Sequence, residues 1–233
     1  MKDRIILSPR LQKAASLVPA GAILADVGTD HGYVPAWLLL HGVIRAAVAT
    51  DINSGPLSRA AETAKKCGVA DRLELVLCDG LSGLPPRCAD TVLISGMGGE
   101  TIAHILQAAP WTREGTALIL QPQSKQPELR RWLYANGCHI TGEHLAKEGD
   151  KLYTILTAAG GASPMPDTAA LYAGAADKHS DKALLGAFLE QEIAKLERLA
   201  AKLEHTSRAA DVRRRAEYLE AADGMTKMRE EIS

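Results

Sequence analysis

Three carboxylates stand at the ends of β-rich runs. Asp26 lies in Ile23-Leu24-Ala25-Asp26-Val27-Gly28-Thr29-Asp30-His31-Gly32-Tyr33-Val34-Pro35, Asp51 in Ala47-Val48-Ala49-Thr50-Asp51-Ile52-Asn53, and Asp79 in Leu73-Glu74-Leu75-Val76-Leu77-Cys78-Asp79-Gly80. In the first segment an acid near a strand end precedes Gly28 and a tight turn into a helix. Gly28 lets a ligand approach the backbone closely, and the helix N-terminus offers N–H groups to a carboxylate. A dinucleotide loop would carry G-x-G-x-x-G around a pyrophosphate. Here Asp30 occupies the second glycine position, and its charge would repel a pyrophosphate. A ligand with a carboxylate, an amine and a ribose but no phosphate suits the loop better. That description fits S-adenosylmethionine, whose amine Asp26 can attract directly or through water. A turn without a ligand remains the plainer alternative for this loop taken alone.

Asp51 follows the loop at about the spacing at which a strand-terminal acid accepts both ribose hydroxyls. It could instead cap the next helix, although Ser54 is available for that. Ile52 beside it, and Asp79 with Gly80, complete the candidate adenosyl contacts, Asp79 accepting from the adenine amine. Three acids at the ends of three successive parallel strands line the edge where open α/β sheets bind ligands. A fourth segment, Val92-Leu93-Ile94-Ser95-Gly96-Met97-Gly98-Gly99-Glu100, follows the fourth strand. It lacks the Asn/Asp-Pro-Pro-Tyr/Phe of many amino-group methyltransferases. Its glycines predict an open turn at a helix start, with Ser95, Gly96 and Met97 as candidate contacts. In Leu118-Ile119-Leu120-Gln121-Pro122-Gln123-Ser124, Gln121 can reach the site, while Gln123 and Ser124 are expected to start a helix.

Positioning these groups requires a sheet. Ser8 suits a helix N-cap and Pro9 the first helical position, with the helix ending before Pro19. Strands are predicted over 23–27, 46–50, 73–77, 91–95, 117–121, 139–145 and 153–157, and helices over 35–41, 56–67, 100–108 and 125–136. The alternation predicts parallel pairing with right-handed crossovers. The last two strands are joined by residues 146–151, too few for a crossover helix, and so predict an antiparallel edge hairpin. The fold class is therefore α/β, a Rossmann-like class I methyltransferase sheet of seven mostly parallel strands.

Residues 1–159 read as this cofactor-binding domain and 160–233 as a linker and a helical hairpin. Small residues, Gly160, Gly161, Pro164 and Pro166 mark the connection. Leu185, Leu189, Ile193, Leu196, Leu199 and Leu203 recur at helical-seam spacing. A second helix is expected over 209–230 using Val212, Tyr218 and Leu219, with Gly224 weakening it. Such a coiled hairpin serves structure, association or substrate binding equally well.

Apolar residues make up 46% of the 233, enough for a sizeable core, and aromatics only 4%, so that core is aliphatic. The four cysteines show no C-x-x-C spacing, and no histidine pattern suggests a metal. No apolar run follows the N-terminus and none is long enough to span a membrane, so a cytoplasmic protein is expected.

The segments Leu7-Ser8-Pro9-Arg10-Leu11, Asp26 to Pro35, Asp51-Ile52-Asn53-Ser54-Gly55-Pro56-Leu57, Asp79-Gly80-Leu81 and Ser95-Gly96-Met97-Gly98-Gly99 together resemble the bacterial tRNA (adenine(22)-N(1))-methyltransferases. So do Leu120-Gln121-Pro122-Gln123, Leu129-Arg130-Arg131-Trp132-Leu133 and Lys151-Leu152-Tyr153. The resemblance implies S-adenosylmethionine as cofactor and N1 of a tRNA adenine as acceptor. Under it, Asp30 is the candidate base or electrostatic stabiliser, and His31 and Tyr33 would position the acceptor base. His31 could equally just close the turn.

Charge gives this expectation little support. Residues 1–159 carry 16 Lys and Arg against 15 Asp and Glu, and the remainder 11 against 13. Local groups remain as candidate RNA contacts: Lys2, Arg4, Arg10 and Lys13; Arg130 and Arg131; Arg208 with Arg213, Arg214 and Arg215. A methyltransferase for another RNA or a small molecule, and an inactive fold serving as an interaction module, are the rival readings. A monomer is slightly favoured over an oligomer.

Overall fold

A computed structural model describes residues 5–232. In chain order the elements are α1 (Pro9–Ser16), β1 (Ile23–Val27), α2 (Tyr33–Leu40), β2 (Ala46–Asp51), α3 (Ser54–Cys67), β3 (Leu73–Leu77), β4 (Thr91–Gly98), α4 (Gly99–Ala108), β5 (Ala117–Ser124), α5 (Gln126–Ala135), β6 (Cys138–Glu148), β7 (Lys151–Gly160), α6 (Thr168–Ala173), α7 (Lys182–Lys202) and α8 (Ala209–Ile232). The expected Lys2 and Arg4 of the N-terminal basic group lie outside the described residues.

The seven strands form one sheet in the order β3-β2-β1-β4-β5-β7-β6. β1 to β5 run parallel, and β7 is antiparallel to both β5 and β6. The period-two alternation of strand side chains divides the core between two faces. Leu24, Leu93 and Ile119 pack with Leu38 and Leu39 of α2 on one side. Val27, Val92, Ile94, Leu118 and Leu120 pack with Ile102 and Leu106 of α4 on the other.

Several boundaries differ from the sequence expectation. β4 continues through Gly96 and Met97 to Gly98, with register shifts on either side of Met97, rather than breaking into a turn after Ser95. β5 likewise runs through Gln123 and Ser124, which therefore do not start a helix; α5 begins at Gln126, after Lys125 in the left-handed region. The two strands extend each other: Met97 pairs with Pro122 and Gly98 with Ser124. Local propensity cannot anticipate such mutual support. The edge hairpin is also longer, β6 and β7 being separated only by Gly149 and Asp150.

The helices α6, α7 and α8 enclose a third apolar cluster built on Leu185, Leu189, Leu196, Ala221, Ala222 and Met225. Val212 and Leu219 are not part of it. They are 50% and 42% exposed, because α8 turns Ala221, Ala222 and Met225 inward instead. Gly224 does not interrupt the helix; a β-carbon there would lie 2.6 Å from that of Ala169 in α6, so the residue allows the two helices to touch.

This cluster is fastened to the sheet by a buried ion pair. Arg130 Nε and Nη2 each donate to Glu143 at 2.9 Å, and Arg130 Nη1 donates to the carbonyls of Leu171 and Tyr172 at 3.1 Å. Both side chains are 1% exposed. Arg130, read from sequence as a candidate RNA contact, is therefore a structural anchor. A bidentate pair with further carbonyl acceptors satisfies the buried guanidinium. Removing one partner leaves the other charge buried and unpaired. Arg130→Met is expected to destabilise the protein by about 3–5 kcal/mol in urea unfolding, and Arg130→Met with Glu143→Leu by much less.

Candidate active site

The strand order reverses at β1, where β2 and β4 lie on opposite sides, and a cavity of about 380 Å³ opens at the carboxyl ends of β1 and β4. The loop after β1 forms its floor. Gly28 and Thr29 donate their N–H groups to the Thr50 carbonyl at 2.8 and 3.0 Å, fastening the loop to the end of β2. Gly32 then enters α2 with φ of +63°, and α2 carries no side-chain cap. A β-carbon on Gly32 would stand 2.9 Å from that of Ala60, so the glycine lets the loop rest on α3.

Asp26 and Asp30, four residues apart, occupy opposite environments. Asp26 is 7% exposed, and burial pushes its carboxyl up to about 6, a bond from the Thr29 side chain opposing the shift. Asp30 is exposed on the cavity wall. Arg59 of α3 donates through Nη2 to Asp30 Oδ1, and His31 Nε2 lies 3.5 Å from Asp30 Oδ2. The His31 and Tyr33 rings stack at 4.9 Å, only 7° from parallel.

The opposite wall is built on β4 and β5. Gln121 is fully buried, and its Oε1 accepts from Arg10 Nη1 at 2.6 Å, from Ser95 Oγ at 3.2 Å and from the Gly96 N–H at 3.1 Å. Arg10 Nη1 also donates to Ser95 Oγ at 2.9 Å, and its guanidinium lies 5.6 Å from the centre of the Tyr153 ring. The side chain thus reaches from α1 across the ends of β4 and β5.

Of the residues named from sequence, Asp26, Gly28, Asp30, His31, Tyr33, Ser95 and Gly96 line the cavity. Asp51, Ile52, Asp79, Gly80 and Met97 lie outside its wall. Asp51 ends β2 and accepts the Asn53 N–H through Oδ1 at 2.7 Å. Ile52 is 65% exposed beside it, and Asp79 lies two residues beyond β3, its carboxylate exposed. Thr50 Oγ1 bonds the Gly80 carbonyl at 2.8 Å, which holds that segment against β2. Met97 faces Gly28: a β-carbon on Gly28 would meet the Met97 methyl. The bare backbone of Gly28 therefore accommodates a thioether side chain. Sequence reading missed the placement of Arg10, Thr29 and Arg59. Arg10 finds its partners 85 and 111 residues away, and no local pattern announces that. Among the described residues, no group of three or more His, Cys, Asp or Glu could hold a metal ion.

A parallel sheet reversing at β1, an antiparallel edge hairpin, and acids at successive strand ends define a methyltransferase domain, and the methyltransferase-domain family model matches residues 7–156. More narrowly, the chain belongs to the tRNA (adenine(22)-N(1))-methyltransferase family: it is 35% identical to that enzyme of Bacillus subtilis over 99% of this chain and 98% of the relative. The crystal structure of the B. subtilis M1A22 tRNA methyltransferase TrmK superposes with a TM-score of 0.82 at 28% identity, covering 98% of this chain and 99% of that one. Sp1610 of Streptococcus pneumoniae, crystallised with S-adenosyl-L-methionine, superposes at 0.80 with 30% identity, covering 93% and 100%.

Burial of Asp26 has a measurable consequence. A carboxyl raised from 3.8 to about 6 on folding contributes stability below pH 3.8 that is lost as pH rises through about 6. Asp26→Asn removes this dependence. Relative to the parent, the variant is expected to gain about 2 kcal/mol of stability between pH 4 and pH 7.5 in urea titrations.

Proposed function

We propose that this protein transfers a methyl group from S-adenosylmethionine to N1 of adenine 22 in tRNA, acting in the cytoplasm. The observation that carries the reading is one cavity walled by a buried acid, an exposed acid and a half-buried arginine. The donor set suits the cofactor. Asp26 meets its amine, Arg10 its carboxylate, and the uncapped start of α2 adds N–H groups. Asp51 at the end of β2 would take the ribose hydroxyls, with Ile52, Asp79 and Gly80 toward the adenine. When bound, S-adenosylmethionine supplies an electrophilic methyl on a sulfonium.

The protein's part in the reaction is placement and charge. Adenine N1 attacks through an in-plane lone pair and needs no prior deprotonation. Its ring becomes cationic as the new bond forms. Asp30, on the cavity wall, stabilises that charge and accepts an N6 proton. The stacked His31 and Tyr33 rings offer an aromatic surface for the acceptor base. Residues 160–233 and their α7–α8 hairpin extend the tRNA contact, through the Arg208, Arg213, Arg214 and Arg215 group at the start of α8.

Incubating an unmodified tRNA transcript with the protein and S-adenosylmethionine, then mapping the product, tests the reading. Methylation at N1 of adenine 22 is expected, and a different methylated atom would overturn it. Asp30→Ala should lose turnover while binding S-adenosylmethionine almost as the parent does, measured by calorimetry. Asp26→Asn should instead weaken the cofactor. Replacing Arg213, Arg214 and Arg215 together by Ala is expected to weaken tRNA binding and flatten its salt dependence, seen by filter binding over a salt series.

A further inference from the structure

Asp30 is exposed on a loop, yet its carboxylate is held at Oδ1 by Arg59, and His31 Nε2 lies 3.5 Å from Oδ2. The Arg59 partnership has a structural origin. Gly32 lets the loop settle on Ala60, and Arg59, the residue before Ala60 in α3, is thereby brought to Asp30 from behind. Asp30, His31 and Tyr33 line the cavity, whereas Arg59 is not part of its wall. We infer that Arg59 is a positioning residue for methyl transfer, acting through Asp30 and not on the substrate. The inference rests on the assignment of the charge-stabilising role to Asp30.

An unpaired carboxylate on such a loop samples several rotamers, and only some face the cavity. A guanidinium behind it restricts that choice. His31 adds little to this, since its Nε2 stands 3.5 Å from Oδ2, at the outer limit of a hydrogen bond, whereas Arg59 makes the closer contact. Gln at position 59 keeps a donor but loses the charge. Lys restores the charge without the planar fork.

The test is single-turnover methylation of tRNA at saturating S-adenosylmethionine, comparing the parent, Arg59→Gln, Arg59→Lys, Asp30→Asn and the Arg59→Gln/Asp30→Asn double variant. Thermal melts check that each one folds. Arg59→Gln is expected to lower the methylation rate about tenfold, with the apparent affinities for tRNA and cofactor unchanged. Arg59→Lys should restore most of that rate. In the Asp30→Asn background, Arg59→Gln should cost nothing further, because the two residues act as one unit. Losses that multiply in the double variant, a weakened tRNA affinity at full rate, or a full rate in Arg59→Gln would each overturn the inference. If Asp30→Asn itself reacts at the parent rate, the assignment of Asp30 fails, and this inference with it. If Asp30→Asn is slow and Arg59→Gln is not, only the role of Arg59 falls.

Discussion

β1 is hydrogen-bonded to β2 on one side and to β4 on the other, and the chain order reverses across it. The connections on its two sides therefore diverge, and a cleft opens at its carboxyl end. The other features of the cavity depend on that geometry. The loop after β1 must turn sharply over the strand ends, and two backbone bonds to Thr50 hold it there. Asp26, still within β1, is buried by its neighbours, while Asp30, beyond the turn, reaches the cavity wall.

The separation of the two acids is the chemical product of this arrangement. A buried carboxylate is costly when ionised and responds strongly to a nearby cation. An exposed one, held by an arginine with a histidine nearby, stays available to a charge that develops during reaction. The same short loop thus offers one acid to the cofactor's amine and another to the acceptor, in the proposed reaction. The opposite wall is organised differently. Gln121 takes three bonds through one oxygen, joining α1, β4 and β5 around a polar centre in an otherwise aliphatic sheet.

Beyond the sheet, Arg130 and Glu143 fasten the helical cluster of α6, α7 and α8 to the edge hairpin. With all three guanidinium nitrogens bonded, the pair joins two bodies of apolar packing at a defined point. The clefts and surfaces of the hairpin are therefore held at a set position relative to the cavity.

Strand and helix order, the antiparallel edge and the acids at successive strand ends were all legible in the sequence, because alternation, capping and turn chemistry act over a few residues. The class of cofactor was legible for the same reason, since Asp30 in a glycine position speaks against a pyrophosphate without reference to any distant residue. Tertiary structure alone decided the rest. Met97 over Gly28, Arg10 on Gln121, Arg59 behind Asp30 and Arg130 inside the junction all join residues far apart in the chain. It also carried β4 and β5 past their local signals, because each strand supplies the other's hydrogen bonds. On the sequence an arginine is only a charge. Its partners, and so its role, are chosen by packing across the sheet.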